Sequence, residues 1–270
     1  MKPVSKTAYY CCGVRMMDAE SNNPIVNDTH AKTLMGEEGH QYWETYKQYK
    51  NPNGASLARC YLIDTWIKKQ LKANPKTTII LIGAGLDSRA FRLTGGNWIE
   101  LDEPGVIEYK NSKLPVAGSQ NPVQRISIDF EKEKLADKLS TIDQSNTILI
   151  VIEGVLMYLS REQKTELMKT ITTLFKKHIL LCDLMNAKFF NKVGRKGIHI
   201  ELAKSGASFD DIMDDPARFI INYGYSLENF ESNVRVASDL GIIVIPKLVV
   251  KFLFRKLFSG YSSYQFRFGF

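Results

Sequence analysis

Residues 78–93 read Thr-Ile-Ile-Leu-Ile-Gly-Ala-Gly-Leu-Asp-Ser-Arg-Ala-Phe-Arg-Leu. Ile79 to Ile82 form an apolar run as long as one buried strand. Gly83 and Gly85 follow at once, and Leu86, Ala90, Phe91 and Leu93 then fall at helical spacing. A strand feeding a glycine turn and then a helix is how open α/β proteins hold a nucleotide-like ligand. The glycines let the backbone approach, and the helix start offers unpaired N–H groups. A dinucleotide site asks for Gly-x-Gly-x-x-Gly. Ser88 occupies the third position here, and Asp87-Ser88 reads instead as a helix cap. Taken alone, the stretch also reads, less favourably, as an ordinary strand-to-helix turn.

Three further segments extend the pattern. Trp98 to Asp102 reads as a second strand ending in a carboxylate. Asp102 lies 17 residues after Gly85, near the spacing at which an acid meets ribose hydroxyls. Arg125 to Phe130 reads as a third, in which Asp129 is placed to accept from an adenine amino group and Phe130 to pack on the ring. Thr147 to Ile152 is a fourth, ending in Glu153-Gly154. Each acid also reads as a solvated or helix-capping residue. Together they trace the carboxyl ends of a sheet, where ligands of open α/β folds sit.

With these residues in place, the chain resembles the leucine carboxyl methyltransferase family. These are class I S-adenosylmethionine (SAM) enzymes that include bacterial polyketide O-methyltransferase-like members. The resemblance rests on Ala58-Arg59-Cys60-Tyr61-Leu62-Ile63-Asp64, on Gly83 to Arg92, and on Glu100-Leu101-Asp102-Glu103-Pro104. Asp129-Phe130 and Glu153-Gly154-Val155-Leu156-Met157-Tyr158-Leu159 complete it. Weaker similarity touches Ser5 to Ala8 with Arg15, and Tyr223 to Leu227.

The resemblance implies a fold and a set of roles. The fold is a Rossmann-like sheet of seven strands, mostly parallel, with the last antiparallel. Arg59 pairs with the SAM carboxylate, and Gly83, Ala84 and Gly85 pass under the methionine part. Asp102 holds the ribose, while Asp129 and Phe130 frame the adenine. Glu153 meets the methionine end near the acceptor, and Arg15 assists the carboxylate or the acceptor. Phe130 stands where the family commonly has an aliphatic residue, and keeps the apolar contact. Arg59 also has a physical argument. On a helix read over Ser56 to Lys72 it lies off the stripe of Leu57, Cys60, Tyr61, Ile67 and Leu71, facing either a cleft or solvent.

Composition bounds the rest. The 270 residues suffice for one α/β domain, and 44% hydrophobic with 24% charged residues is ordinary for a globular chain. Cys11, Cys12, Cys60 and Cys182 lack metal-ligand spacing, so no metal is expected. No apolar targeting segment stands near the start, and a cytoplasmic location is expected. The formal net charge is +7. Lys247 to Arg267 holds five basic and no acidic residues among bulky apolar ones. It reads either as a surface for acidic lipids or, preferred here, as a core helix joining the last two strands. Charges within 242–258 exclude a membrane span. No nucleic-acid motif accompanies the charge, and the sequence leaves the oligomeric state open.

Residues 6–45 read as helices broken at Asn22-Asn23-Pro24, within an N-terminal cover over 1–53. A helix is expected over Glu162 to Lys176, a fifth strand over His178 to Asp183, and a further strand over Gly241 to Ile245. Tyr261 to Phe270 reads as the final strand. The long segment Leu184 to Ser238, with its spaced glycines, is expected to close over the acceptor together with the N-terminal cover. Glu153, Tyr158 and Tyr223 are expected near the transferred methyl group. His199 is the best candidate base, and His178 reads as structural. The expected reaction is methyl transfer from SAM to a carboxylate or ionisable hydroxyl of a small molecule. A protein carboxylate or a modified tRNA is the alternative acceptor. A non-catalytic SAM-binding protein and a nicotinamide oxidoreductase are the readings from other classes.

Overall fold

In the computed structural model, which describes residues 4–130, 132–194, 197–204, 206–207, 209 and 211–270, the four strand segments read from the sequence pair side by side. The strands are β1 (Thr78–Ile82), β2 (Asn97–Asp102), β3 (Val123–Ser127), β4 (Ile148–Ile152), β5 (His178–Met185), β6 (Ser226–Ser232) and β7 (Tyr261–Phe268). They form one sheet in the order β3-β2-β1-β4-β5-β7-β6. The first five are mutually parallel. β7 runs antiparallel to both its neighbours. Winding reverses between β1 and β4, so a crevice opens at their carboxyl ends.

Alternation along the strands splits the core in two. Ile79, Leu81, Leu149, Val151, Ile179 and Leu181 face a cluster built with α1 (Thr7–Ala19), α2 (Ala31–Tyr46) and α3 (Lys50–Ala73). Ile80, Ile82, Ile150, Ile152, Leu180 and Cys182 face the other layer, with Leu167, Met168 and Ile171. Burying each large aliphatic side chain contributes about 1.5–3 kcal/mol. The N-terminal layer is therefore an integral half of the core.

Four expectations are corrected. The helix after the glycine turn is a single turn, α4 (Arg89–Arg92), and its start is held by Asp87, whose Oδ1 accepts from the Arg89 N–H at 2.6 Å. Ser88 makes no cap bond. The third strand stops at Ser127, leaving Asp129 and Phe130 in the loop beyond it. Gly241 to Ile245 forms no strand. The sixth strand is Ser226–Ser232, which lies inside the segment read as an insertion. It is a polar edge strand tied to β7 by Glu228, which accepts from Gln265 and Arg267 at 2.7 Å each. With that edge taken, the apolar run 241–245 leans on the start of α3 instead, where the Val244 N–H donates to Asn51 Oδ1 at 2.9 Å. Finally, 247–258 is not a core helix. It is a π-helical turn (Val249–Leu253) and a short helix (Arg255–Phe258) with half of its apolar side chains in solvent.

Three more helices complete the frame near the strand ends: α5 (Pro104–Lys113), α6 (Leu135–Leu139) and α7 (Arg161–Leu174). α7 opens with a capping box in which Ser160 and Gln163 satisfy each other's backbone N–H.

Candidate active site

The crevice between β1 and β4 is the mouth of a cavity of about 820 Å³, within the range of roughly 300–1,000 Å³ usual for small-molecule sites. Its lining changes character with the elements that supply it. The strand ends, α1 and α3 contribute Arg15, Arg59, Asp87, Asp102, Glu103 and Glu153. The end of β5, the segment after it and residues 234–258 contribute Met185, Phe189, Ile198, Leu202, Ile243, Ile245 and Phe258.

The turn after β1 is built for close approach. Gly83 has φ +72°, and a Cβ there would sit 2.5 Å from Val155 Cγ2. Gly85 has φ +49° and would crowd Ala8 of α1 at 3.2 Å. Only glycine meets both demands without strain. The Gly85 N–H donates to Asp102 Oδ2 at 2.6 Å, and the Glu103 N–H donates to Asp102 Oδ1 at 2.7 Å. Burial pushes Asp102 above its ordinary pKa, and the two amides oppose that push. Each of its oxygens keeps a further lone pair for a ligand hydroxyl. Glu103, which the sequence reading leaves without a role, joins the lining. Arg15 straps α1 to the same turn. Its Nη2 donates to the Leu86 carbonyl at 2.6 Å, and its Nε meets Asp28 Oδ2 at 2.8 Å.

Arg59 sits at the centre of a buried charge cluster. Its Nε pairs with Glu153 Oε1 at 2.9 Å. Its Nη1 meets Asp183 Oδ2 at 3.1 Å and the Tyr261 hydroxyl at 3.0 Å. Its Nη2 donates to Cys11 Sγ at 3.2 Å, a weak acceptor that a ligand carboxylate outcompetes. The other Glu153 oxygen lies 2.7 Å from Arg89 Nη2. Arg89 also contacts Asp64 and Asp87, and Arg92 pairs with Asp64. Three guanidiniums thus face four carboxylates (Glu153, Asp183, Asp64 and Asp87). Burial would raise Glu153, but Arg89 and Arg59 outweigh it and hold the carboxyl below its usual range. At Asp183 burial prevails over Arg59, and the pKa is raised. The surplus carboxylate suits a ligand of net positive charge that still carries a carboxylate for Arg59. Donor set and glycine cradle therefore fit SAM.

The structure brings Arg15, Arg59, Gly83, Ala84, Gly85, Asp102, Phe130, Glu153, Tyr158 and His199 to one cavity. Asp129 and Tyr223 are outside its lining. The Asp129 carboxylate pairs with Lys132 at 3.0 Å, and Glu133 and Lys134 line the cavity beside Phe130 instead. The Tyr223 hydroxyl donates to Thr165 Oγ1 at 3.1 Å, with its ring against Phe219. His199 packs edge-on to Phe190 and Phe209, with Nδ1 buried and without a hydrogen-bond partner. Burial lowers its pKa to about 4, so the imidazole is neutral near pH 7. Burial raises the Tyr158 hydroxyl well above its ordinary value. Among the described residues no cluster of metal-ligating side chains occurs.

Sequence reasoning passed over Asp183, Arg89 and Tyr261. Asp183 carries the same signal as the chosen acids, since it closes the apolar run His178 to Cys182. Its Oδ1 accepts from the Gly154 N–H at 2.6 Å, which fixes the turn after β4. Arg89 stands within the glycine-turn motif, but nothing in sequence pairs it with Asp64. Tyr261 opens the last strand and has no local signal.

A family model described as leucine carboxyl methyltransferase matches residues 8–172. A Mycobacterium tuberculosis (strain ATCC 25177 / H37Ra) protein named "Putative S-adenosyl-L-methionine-dependent methyltransferase" is 27% identical over 194 residues, covering 63% of this chain. The match spans 62% of that relative's length. Among solved structures, a DUF574 family protein from Streptomyces avermitilis MA-4680 superposes with a TM-score of 0.56 at 11% identity, covering 95% of this chain and 96% of that one. A protein from Thermobifida fusca YX titled a "putative methyltransferase" gives a TM-score of 0.55 at 12% identity, covering 94% and 93%. At these identities the likeness is one of fold.

Proposed function

Since the chain belongs to the leucine carboxyl methyltransferase family, we propose that it transfers a methyl group from SAM to an oxygen of a small acceptor with an apolar body. The acceptor oxygen belongs to a carboxylate or an ionisable hydroxyl. The observation that carries this reading is one cavity in which a glycine cradle and a charge cluster meet an apolar lining. Bound SAM supplies an activated methyl on a sulfonium. The chain's own work is placement. Arg59 holds the amino-acid carboxylate, Asp102 orients the ribose, Phe130 packs on the base, and Glu153 faces the cationic end. In-line geometry with reacting atoms about 3–3.5 Å apart is what such positioning supplies.

A carboxylate acceptor is already a nucleophile at neutral pH and asks for no base. For a hydroxyl acceptor, the neutral His199 with its unpartnered Nδ1 is the group to take the proton. Tyr223 is not proposed for the methyl site, because it lies outside the cavity lining. The helices of the N-terminal layer and the segment after β5 supply the walls that exclude water.

Titration calorimetry tests the reading. SAM and S-adenosylhomocysteine (SAH) should bind at one site per chain and far more tightly than NAD. A panel of hydrophobic acids and phenols with SAM should then yield SAH and a methylated product. Absence of SAM and SAH binding, or equal binding of NAD, sinks the proposal.

A further inference from the structure

Among the described residues, the four most exposed large apolar side chains fall in one segment. Val244, Leu248, Phe252, Leu253 and Phe254 are 51–74% exposed, and all lie within eleven residues of one another in the segment 241–258. Scattered surface aliphatics are normal, but a contiguous group of this kind marks an interaction surface. The segment alternates these residues with Lys247, Lys251, Arg255 and Lys256, and residues 240–270 contain no acidic side chain. Lys251 meets Asp239 at 2.7 Å, while Lys247, Arg255 and Lys256 stand exposed around the apolar group.

We propose that this knuckle docks the protein on an anionic lipid surface. Aromatic and aliphatic side chains flanked by lysine and arginine form the pattern that lies in a membrane interface. The bulky residues enter the acyl boundary, and the basic ones meet the headgroup phosphates. A second copy of the chain is the competing occupant. Two-fold self-pairing through this face would set Lys247, Arg255 and Lys256 against their own copies with no acid to neutralise them. The surface is peripheral, since no helix among the described residues is long and apolar enough to cross a membrane. Its place also has a consequence for access. Ile243 and Ile245 flank the exposed Val244 and line the cavity, as does Phe258. Docking sets the apolar wall of the cleft beside the lipid.

Vesicle co-sedimentation of the full chain tests the proposal. The probes are vesicles of phosphatidylcholine alone and of phosphatidylcholine mixed with phosphatidylglycerol. The expected result is partition onto the anionic vesicles only, weakened by added salt. Each basic residue near an anionic surface contributes about a fivefold factor. The triple variant Lys247→Gln, Arg255→Gln, Lys256→Gln should therefore lower partition about a hundredfold. Phe252→Ser with Leu253→Ser should abolish it, and melting curves of both variants should match the parent because the replaced side chains are exposed. No binding to anionic vesicles, or equal binding to neutral ones, overturns the proposal. So does a dimer in sedimentation equilibrium that Phe252→Ser with Leu253→Ser converts to monomer, for then a second copy covers the face. If the serine variant does not fold, the charge variant decides alone.

Discussion

Arg59 carries two duties at the scale of a single residue. Four of its N–H donors hold Glu153, Asp183, Tyr261 and Cys11, so truncation to alanine would strand two buried carboxylates and confound binding with folding. Arg59→Lys keeps the charge and loses the fork. It should cost about 1.5–3 kcal/mol of SAH affinity, measured by calorimetry on protein whose melting curve is still cooperative. A lysine variant that binds SAH like the parent would remove Arg59 from the ligand's reach. His178 gives a pH prediction. Its Nδ1 lies 2.9 Å from the Phe175 carbonyl and its Nε2 2.7 Å from the Tyr225 hydroxyl. The carbonyl only accepts, so Nδ1 carries the proton and Tyr225 donates to Nε2. Burial lowers the pKa from 6.5 to about 4, against a smaller opposing effect of the carbonyl. The contribution is present above pH 6.5 and is lost as pH falls toward 4, with a slope of about 1.4 kcal/mol per pH unit. Urea unfolding at pH 7, 6 and 5 should show this fall, and His178→Gln should flatten it. Equal slopes for the two proteins would mean that His178 takes up no proton on unfolding.

At the scale of elements, the glycine turn is the sharpest test. Gly83→Ala meets a positive φ and a Cβ 2.5 Å from Val155 Cγ2. It should destabilise by more than about 1–3 kcal/mol and abolish SAH binding. Adding Val155→Ala removes the clash but leaves the φ, so stability should return only in part. Full recovery in urea titration would show that the backbone angle costs nothing. How far the sequence spoke for itself also shows at this scale. β1, β4 and β5 are largely apolar runs with both faces covered, and burial on both faces is written directly into composition. β6 was invisible because an edge strand with one neighbour keeps polar residues such as Glu228 and Asn229. The run Gly241 to Ile245 misled for the converse reason: its β-branched residues suit a strand, but β6 holds the place beside β7, and the run leans on α3 instead. The strand-end acids were legible as a class. Which of them enter the cavity depended on loop length beyond the strand, as Asp129 shows, and on partners distant in sequence, as Arg89 with Asp64 shows.

At the scale of the whole molecule, the cavity joins pieces of chain that are far apart. α1 straps the first glycine turn through Arg15, and α3 reaches Tyr261 through Arg59, 202 residues away. The sheet has the same property, because β7 inserts between β5 and β6 rather than adding to an edge. The order in which a ribosome delivers these parts therefore matters. At roughly 5–20 residues per second, Arg59 waits roughly 10–40 s for Tyr261 to be synthesised. For the last part of that interval, from the completion of β5 until β7 is made, the outer edge of β5, a strand buried along its whole length in the finished protein, has no partner. An open, greasy edge on a nascent chain invites pairing with other chains. The late arrival of β7 makes this a protein whose yield depends on being shielded during translation, and whose cavity gains Tyr261 only once β7 has been made.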